Sequence, residues 1–266
     1  KKEKQVIIQE MKMYQDMPAR YIFDLYKKNQ YGSCPLGRDI IGTQKSVRSI
    51  TAGDLKEYIK KYYTPSNLIF MIAGKIGDKK KIMGLIKKYF ENIKDQPVSK
   101  PEKFINSNYL NNILYVNKKT DQTNLVVSYP AYKANYTYRY ELELLAMIMG
   151  GMMSSRLFSE IREKRGLAYG VRAFIDSYLD TGSFLVSVGL EPKKADLTVK
   201  LIKKLMIESV NISDDEFTRA RQKIISNLAL QTEDAGSLAF MFLDQIIYQN
   251  KITTPREQIK IFNNIK

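Results

Sequence analysis

A polar interruption constrains the fold of this chain more than any other feature. Residues 94–111 carry Pro97, Pro101 and several Lys and Asn between two regions of regular helix and strand patterning, the composition of an exposed connection. The chain is thereby divided into residues 1–93 and 112–266, with 94–111 as the linker. Its 266 residues agree with about two domains at roughly 150 residues each. With 44% hydrophobic, 27% charged and 11% aromatic residues, the composition is globular, which excludes collagen-like, low-complexity and disordered classes.

In the first half, Val6, Ile7, Glu10 and Met13 recur at helical spacing, predicting a helix over 3–14 that Met17-Pro18 interrupts. A second helix is predicted over 20–29, followed by the ordered loop YGSCPLGRDIIGT, with three glycines and a proline. Thr51 and Asp54 form a capping box for a helix to Tyr63, which Pro65 stops. The apolar run 67–73 suits a buried strand, and Asp78 can cap a helix reaching Asn92. In the second half, strands are predicted over 113–116, 124–129, 167–174 and 182–190, the last two joined by a turn around Asp180. Helices are predicted over 138–149, ending at Gly150-Gly151; from about Arg156 to Gly166, with Ser154 or Ser155 as cap; and over 194–209. A capping box at Ser213 and Glu216 opens another to about Leu230, and a last one covers 237–248.

Sliding the chain by 217 positions aligns Gln5 with Gln222, Ile7 with Ile224, Ile8 with Ile225 and Met11 with Leu228. The match is weak by itself, but it points to a duplicated α/β domain whose first copy lacks its beginning and whose second lacks its end. Glu3 and Glu10 fall opposite Ala220 and Asn227, so one copy alone carries the two carboxylates.

Histidine is absent from all 266 residues. Within the chain this excludes a Ser-His-Asp triad, a Cys-His pair, a histidine-based zinc site and a histidine general base. The single cysteine, Cys34, has no partner for an internal disulfide and reads as a structural thiol. Forty-three basic against 28 acidic residues give a formal net charge of +15, which would suit nucleic acid, an anionic membrane surface or acidic substrates. The lysines are scattered along the chain and no nucleic-acid-binding motif accompanies them, so a composition bias explains the charge without a nucleic-acid partner. No apolar run reaches the roughly 18 residues of a membrane span; 68–73 is too short and 238–248 contains Asp244. The expectation is a soluble protein with no membrane association, the cytoplasm being the default compartment. The chain starts KKEKQ, without Met or a signal-peptide core, so its natural N-terminus is expected to be missing.

Glu3 and Glu10, seven residues apart, lie within about 20° of one helix face. Two such carboxylates can hold a divalent cation or share a proton, although acidic pairs at this spacing commonly belong to a solvated face. Val6 and Met13 place Glu10 towards the apolar side, where a carboxylate needs a partner. In SSRLFSEIREKRGLAYG, four basic side chains precede Gly166 and Tyr169. Arg162 in the helix and Tyr169 at the start of the next strand could present a guanidinium and a phenol to one point and stabilise an anionic oxygen. A basic surface helix followed by a core tyrosine is the simpler alternative. Gly150-Gly151 precedes a helix start without any phosphate-loop or dinucleotide glycine pattern, and reads as a turn allowing close packing.

Four segments together resemble one family: EKQVIIQEMKMYQDMP (3–18), PLGRDIIGT (35–43), SITAGDLKEYIKKYYTPSNLIFMIAGKI (49–76) and GGMMSSRLFSEIREKRGLAYGV (150–171). They are similar to the zinc peptidases with the inverted H-x-x-E-H motif, the family of insulinase, pitrilysin and the mitochondrial processing peptidase, and most to its bacterial two-domain branch. The resemblance implies an α+β fold of duplicated α/β domains, each an antiparallel-rich sheet with helices packed on one face. It implies hydrolysis of peptides in an enclosed chamber, the peptide adding as a strand at a sheet edge. Glu10 is the implied third zinc ligand and Glu3 the carboxylate that orients it. The family pattern R-x6-Y falls on Arg162 and Tyr169, implying contact with the substrate backbone and with the oxygen of the tetrahedral intermediate.

One departure accompanies the match. The H-x-x-E-H element belongs about seventy to eighty residues before Glu10, and this chain starts nine before it. A catalytic zinc site uses three protein ligands, so the expectation is an N-terminally truncated piece, inactive alone, with zinc bound in the full-length protein and none by this chain. The resemblance further implies a peptide substrate and a homodimer, or a heterodimer with a related subunit. The alternatives are a non-catalytic partner subunit of a heteromeric peptidase and a basic binding or scaffold protein.

Overall fold

Local signals build the first half. In the computed structural model, which describes residues 2–104 and 113–266, this half forms α1 (Lys2–Gln15), α2 (Pro18–Tyr31), α3 (Gln44–Ser49), α4 (Ala52–Tyr62) and α5 (Lys79–Phe90). Pro18 opens α2, a position whose N–H would be unpaired in any case. The Thr51 hydroxyl accepts from the Asp54 amide while the Asp54 carboxylate accepts from the Thr51 amide at 2.6 Å, and Asp78 caps α5. Thr43 and Ser46 cap α3 in the same reciprocal way, a short helix that apolar periodicity does not signal.

The second half contains β1 (Thr123–Ala131), α6 (Arg139–Ala146), β2 (Ala168–Ser177), β3 (Gly182–Leu190), α7 (Ala195–Ile207), α8 (Asp214–Gln231), α9 (Ala235–Gln249) and α10 (Pro255–Asn264). The strands form one antiparallel sheet in the order β1-β3-β2. Two wide π-helical turns, Met147–Gly151 continuing α6 and Phe158–Glu163, lead into β2. On one face of the sheet Val171, Ala173, Phe184, Val186, Val188 and Leu190 pack with Met149, Leu157, Ile161 and Ile202, each fully buried side chain stabilising by roughly 1.5–3 kcal/mol. Beyond α6, the Leu144 and Ile148 side chains meet Ala220, Ile224 and Leu228 of α8 and Phe262 of α10.

The opposite face of the same sheet is covered by the first half. Leu185, Val126 and Phe174 pack with Tyr26 and Tyr31 of α2, with Leu36 and with the partly buried Cys34. Tyr31 Oη lies 3.0 Å from Ser183 Oγ and 3.2 Å from Tyr26 Oη, and the Phe23 and Phe174 rings are 5.8 Å apart. The sheet is thus held between its own helices and α2.

Three expectations differ from what is found. Residues 67–73 and 113–116 join no ladder among the described residues, and their apolar side chains stay open, Phe70 at 55% and Tyr115 at 83% exposure. A strand needs a neighbour to take its backbone N–H and C=O groups, and none is present for either segment among the described residues. The helix expected from Arg156 starts there and widens into the π-helical turn, but the Ser155 hydroxyl, rather than capping it, is buried without a partner among the described residues. The connection 94–111 is tethered at both ends of its described part: the Ser66 amide donates to Asp95 Oδ1 at 3.0 Å and the Phe104 amide to Asp180 Oδ2 at 2.6 Å. Its remainder falls in 105–112, outside the described residues. Among the described residues no helix is long and apolar enough to cross a membrane.

Candidate functional site

The four basic side chains that follow Ser155 receive different partners. Arg156 is tied to the start of α8: its Nη2 donates to Glu216 Oε2 at 2.7 Å, its Nη1 to the Glu208 carbonyl at 3.0 Å, and a further bond reaches the Asn211 carbonyl. The hydrogen bond from Arg156 is the main reason the Glu216 carboxyl is held down at about 2. Lys164 and Arg165 both pair with Glu160. Arg162 has no acidic partner among the described residues. Its guanidinium lies 4.9 Å from the centroid of the Phe158 ring and lines an open cleft of about 390 Å³. A cation resting on an aromatic face with no carboxylate beside it keeps its donors free for a ligand.

Tyr169 is turned outward by an irregularity in β2. The register sets Ala168 opposite Leu190 and Gly170 opposite Gly189, leaving Tyr169 as an extra residue. Counting by twos from the core-facing Val171 and Ala173 would send Tyr169 inward. The bulge instead returns Ala168 to core contact and leaves Tyr169 57% exposed. A core tyrosine is therefore excluded. Tyr169 immediately precedes Gly170, which forms part of the cleft, but is not itself among the lining residues.

The cleft exists because of its glycines. A Cβ on Gly150 would stand 2.3 Å from the Ala173 amide nitrogen, so Gly150 lets the end of the α6 segment press against β2, the close packing expected of the Gly-Gly pair. Past Gly150, Gly151 and Ser187 a second open space, about 640 Å³, continues to Ala19 and Phe23 of α2. Arg172 borders both spaces, exposed and directly opposite Ser187. The sequence reading passed over it. Its signal was an arginine at outward parity between the core-facing Val171 and Ala173.

Glu3 and Glu10 are both exposed on α1, together with Val6 and Met13. The expected placing of Glu10 towards a buried side is not found. Ile8 and Met11 are the side chains that pack, against Val47 of α3, so the row Glu3, Val6, Glu10, Met13 faces outward. Among the described residues no three His, Cys, Asp or Glu side chains gather as metal ligands. By themselves these residues do not fit a zinc ion, to which Glu10 could give one ligand of three.

Residues 49–224 match the family model described as the peptidase M16 inactive domain, and the chain belongs to the M16 peptidase family. One relative is a protein named as an uncharacterized zinc protease from Rickettsia felis, 33% identical over 269 residues, covering 100% of this chain and 64% of that protein. Another is the uncharacterized zinc protease YmxG of Bacillus subtilis, 30% identical over 241 residues, covering 89% and 58%. The chain thus spans about three fifths of the length of the curated relatives it matches. Solved structures of an M16 inactive domain from Pseudomonas fluorescens (TM-score 0.85, 19% identity, 100% and 64% covered) and of a protease from Helicobacter pylori (TM-score 0.86, 22% identity, 99% and 65% covered) share its fold.

Proposed function

We propose that this chain is the peptide-holding part of an M16 zinc peptidase, acting on peptides enclosed between two related halves. The observation that carries the reading is the sorting of the basic residues: of four cations in one segment, Arg162 alone has no acidic partner and lines the cleft. In this reading the Arg162 guanidinium donates to a substrate carbonyl, and the outward Tyr169 hydroxyl donates to the oxygen that becomes negative when that carbonyl is attacked. In this reading Glu10 would give one ligand to a metal held in the complete protein, with Glu3 orienting it. Zinc, when bound, would supply the polarised water.

In the complete gene product, Arg162→Ala and Tyr169→Phe should each lower kcat on an unstructured peptide by about 10²–10³-fold. Wild-type kcat in Arg162→Ala would overturn the assignment. A second reading is favoured by the absence of a gathered ligand set among the described residues: a non-catalytic subunit that lends Arg162 and Tyr169 to an active companion. Peptide cleavage by the purified gene product alone decides for the first reading, and cleavage only after a related subunit is added decides for the second.

A further inference from the structure

We propose that Arg172 selects a carboxylate on the peptide held in the cleft, an inference that rests on the peptide-holding reading above. Arg172 stands where the two open spaces meet, so a chain lying along both must pass it. No acidic side chain lines either space, and Arg172 has no ion-pair partner among the described residues, which leaves its five donors to a ligand. Ser187, half-buried on the neighbouring strand and directly opposite, offers a hydroxyl donor to the same group. Two rungs along, Gly170 pairs with Gly189; a Cβ at Gly170 would meet nothing within 4 Å, whereas one at Gly189 would stand 3.5 Å from Gln122 Oε1, so the room for a side chain lies on the β2 side. Phe23 and Phe174 line the α2 side of the second space.

A planar guanidinium in such a place suits a carboxylate bound by two parallel hydrogen bonds. Gly170 and Val171 separate Arg172 from Tyr169, and because Tyr169 is the extra residue of the bulge the ladder advances between two and three rungs, about 7–10 Å at roughly 3.3 Å per residue. The selected carboxylate therefore lies two to three positions along an extended peptide from the bond that Tyr169 serves. Two sources share this chemistry, an Asp or Glu side chain and a free C-terminus.

Fluorescein-labelled unstructured peptides carrying one Glu or one Gln, each made as free acid and as amide, distinguish them by anisotropy titration against the complete gene product. The carboxylate-bearing peptides should bind about tenfold tighter or more, the effect of one charged hydrogen-bonded pair. Arg172→Gln should abolish that difference, and Arg172→Glu should reverse it in favour of a Lys-bearing peptide. A difference that follows Glu against Gln assigns the side chain as the source, and one that follows acid against amide assigns the C-terminus. Equal binding of all four peptides by the wild-type protein overturns the selection by Arg172 and leaves the peptide-holding reading standing. Discrimination that survives Arg172→Gln also overturns it. Failure to bind any of the four overturns both.

Discussion

Helices α1 and α8 are one pattern in two settings. At the offset of 217, Glu3, Ile7 and Met11 fall opposite Ala220, Ile224 and Leu228, and the next helices agree too, Pro18 and Ala235 being the first residues of α2 and α9. In α8 this row is closed by α6: Ala220 is 0% exposed and packs in the cluster of Leu144 and Ile148. In α1 the corresponding Glu3 is open to solvent. Alanine and glutamate are both good helix formers, so the helix itself does not choose between them. What lies across from the position does, a close-packed helix in the second copy and none among the described residues in the first.

The largest test of this difference exchanges the two residues. Ala220→Glu would bury a carboxylate with no partner under α6 and should cost about 3–5 kcal/mol or prevent folding. Glu3→Ala should leave the urea midpoint where it is. A tolerated Ala220→Glu would show that α6 does not close over α8. Next comes the anchor at the start of α8. Glu216→Gln removes the charged partner of Arg156 and weakens the Ser213 cap, and should cost about 2 kcal/mol at pH 7. Because folding lowers the Glu216 value from 4.5 to about 2, its stabilisation is complete above about pH 4.5 and is lost as pH falls towards 2. Urea titrations between pH 2 and 6 should therefore show a fall in wild-type stability that Glu216→Gln flattens.

A smaller effect separates α2 from α9. At the same offset Tyr31 falls opposite Tyr248. Tyr31 is buried and bonded to the fully buried Ser183, whereas Tyr248 is half-buried. Tyr31→Phe removes one hydroxyl from a buried group in which Tyr26 and Ser183 also bond to each other, and should cost about 1 kcal/mol; Tyr248→Phe should cost less. Equal costs, measured by urea unfolding, would mean that the contact between the halves does not depend on the Tyr31–Ser183 bond.

What could be read in advance was what depends on neighbours in sequence. The capping boxes at Thr51 and Ser213 and the apolar run of β3 follow from side chains a few residues apart, and the Gly150-Gly151 pair signalled close packing without naming Ala173 as its partner. The same box stands at Thr254 and Glu257, behind Pro255, and apolar periodicity passed over it and over α10. The misses are tertiary. Residues 67–73 have strand chemistry but no neighbour to pair with among the described residues, which face of α1 packs was decided by Val47 on another helix, and the bulge that turns Tyr169 outward is a matter of register against β3. For the site, residue types pointed to Arg162 and Tyr169, but only the partners taken by Arg156, Lys164 and Arg165 separated Arg162 from its neighbours, and Arg172 emerged only from the cleft it borders.

The mildest change for stability is the sharpest for the asymmetry between the copies. Glu10 falls opposite Asn227, so Glu10→Gln gives the first copy the uncharged amide chemistry of the second. Exposed and outside the packed row of α1, this side chain should be replaceable with no measurable change in the urea midpoint. If its carboxylate is a metal ligand, the same substitution in the complete gene product should abolish both bound zinc, read by metal analysis, and peptide cleavage. Asn227→Gln should alter neither. Zinc content and cleavage that persist in Glu10→Gln would make Glu10 an ordinary solvated acid, and the carboxylates found in one copy alone would then carry no chemistry.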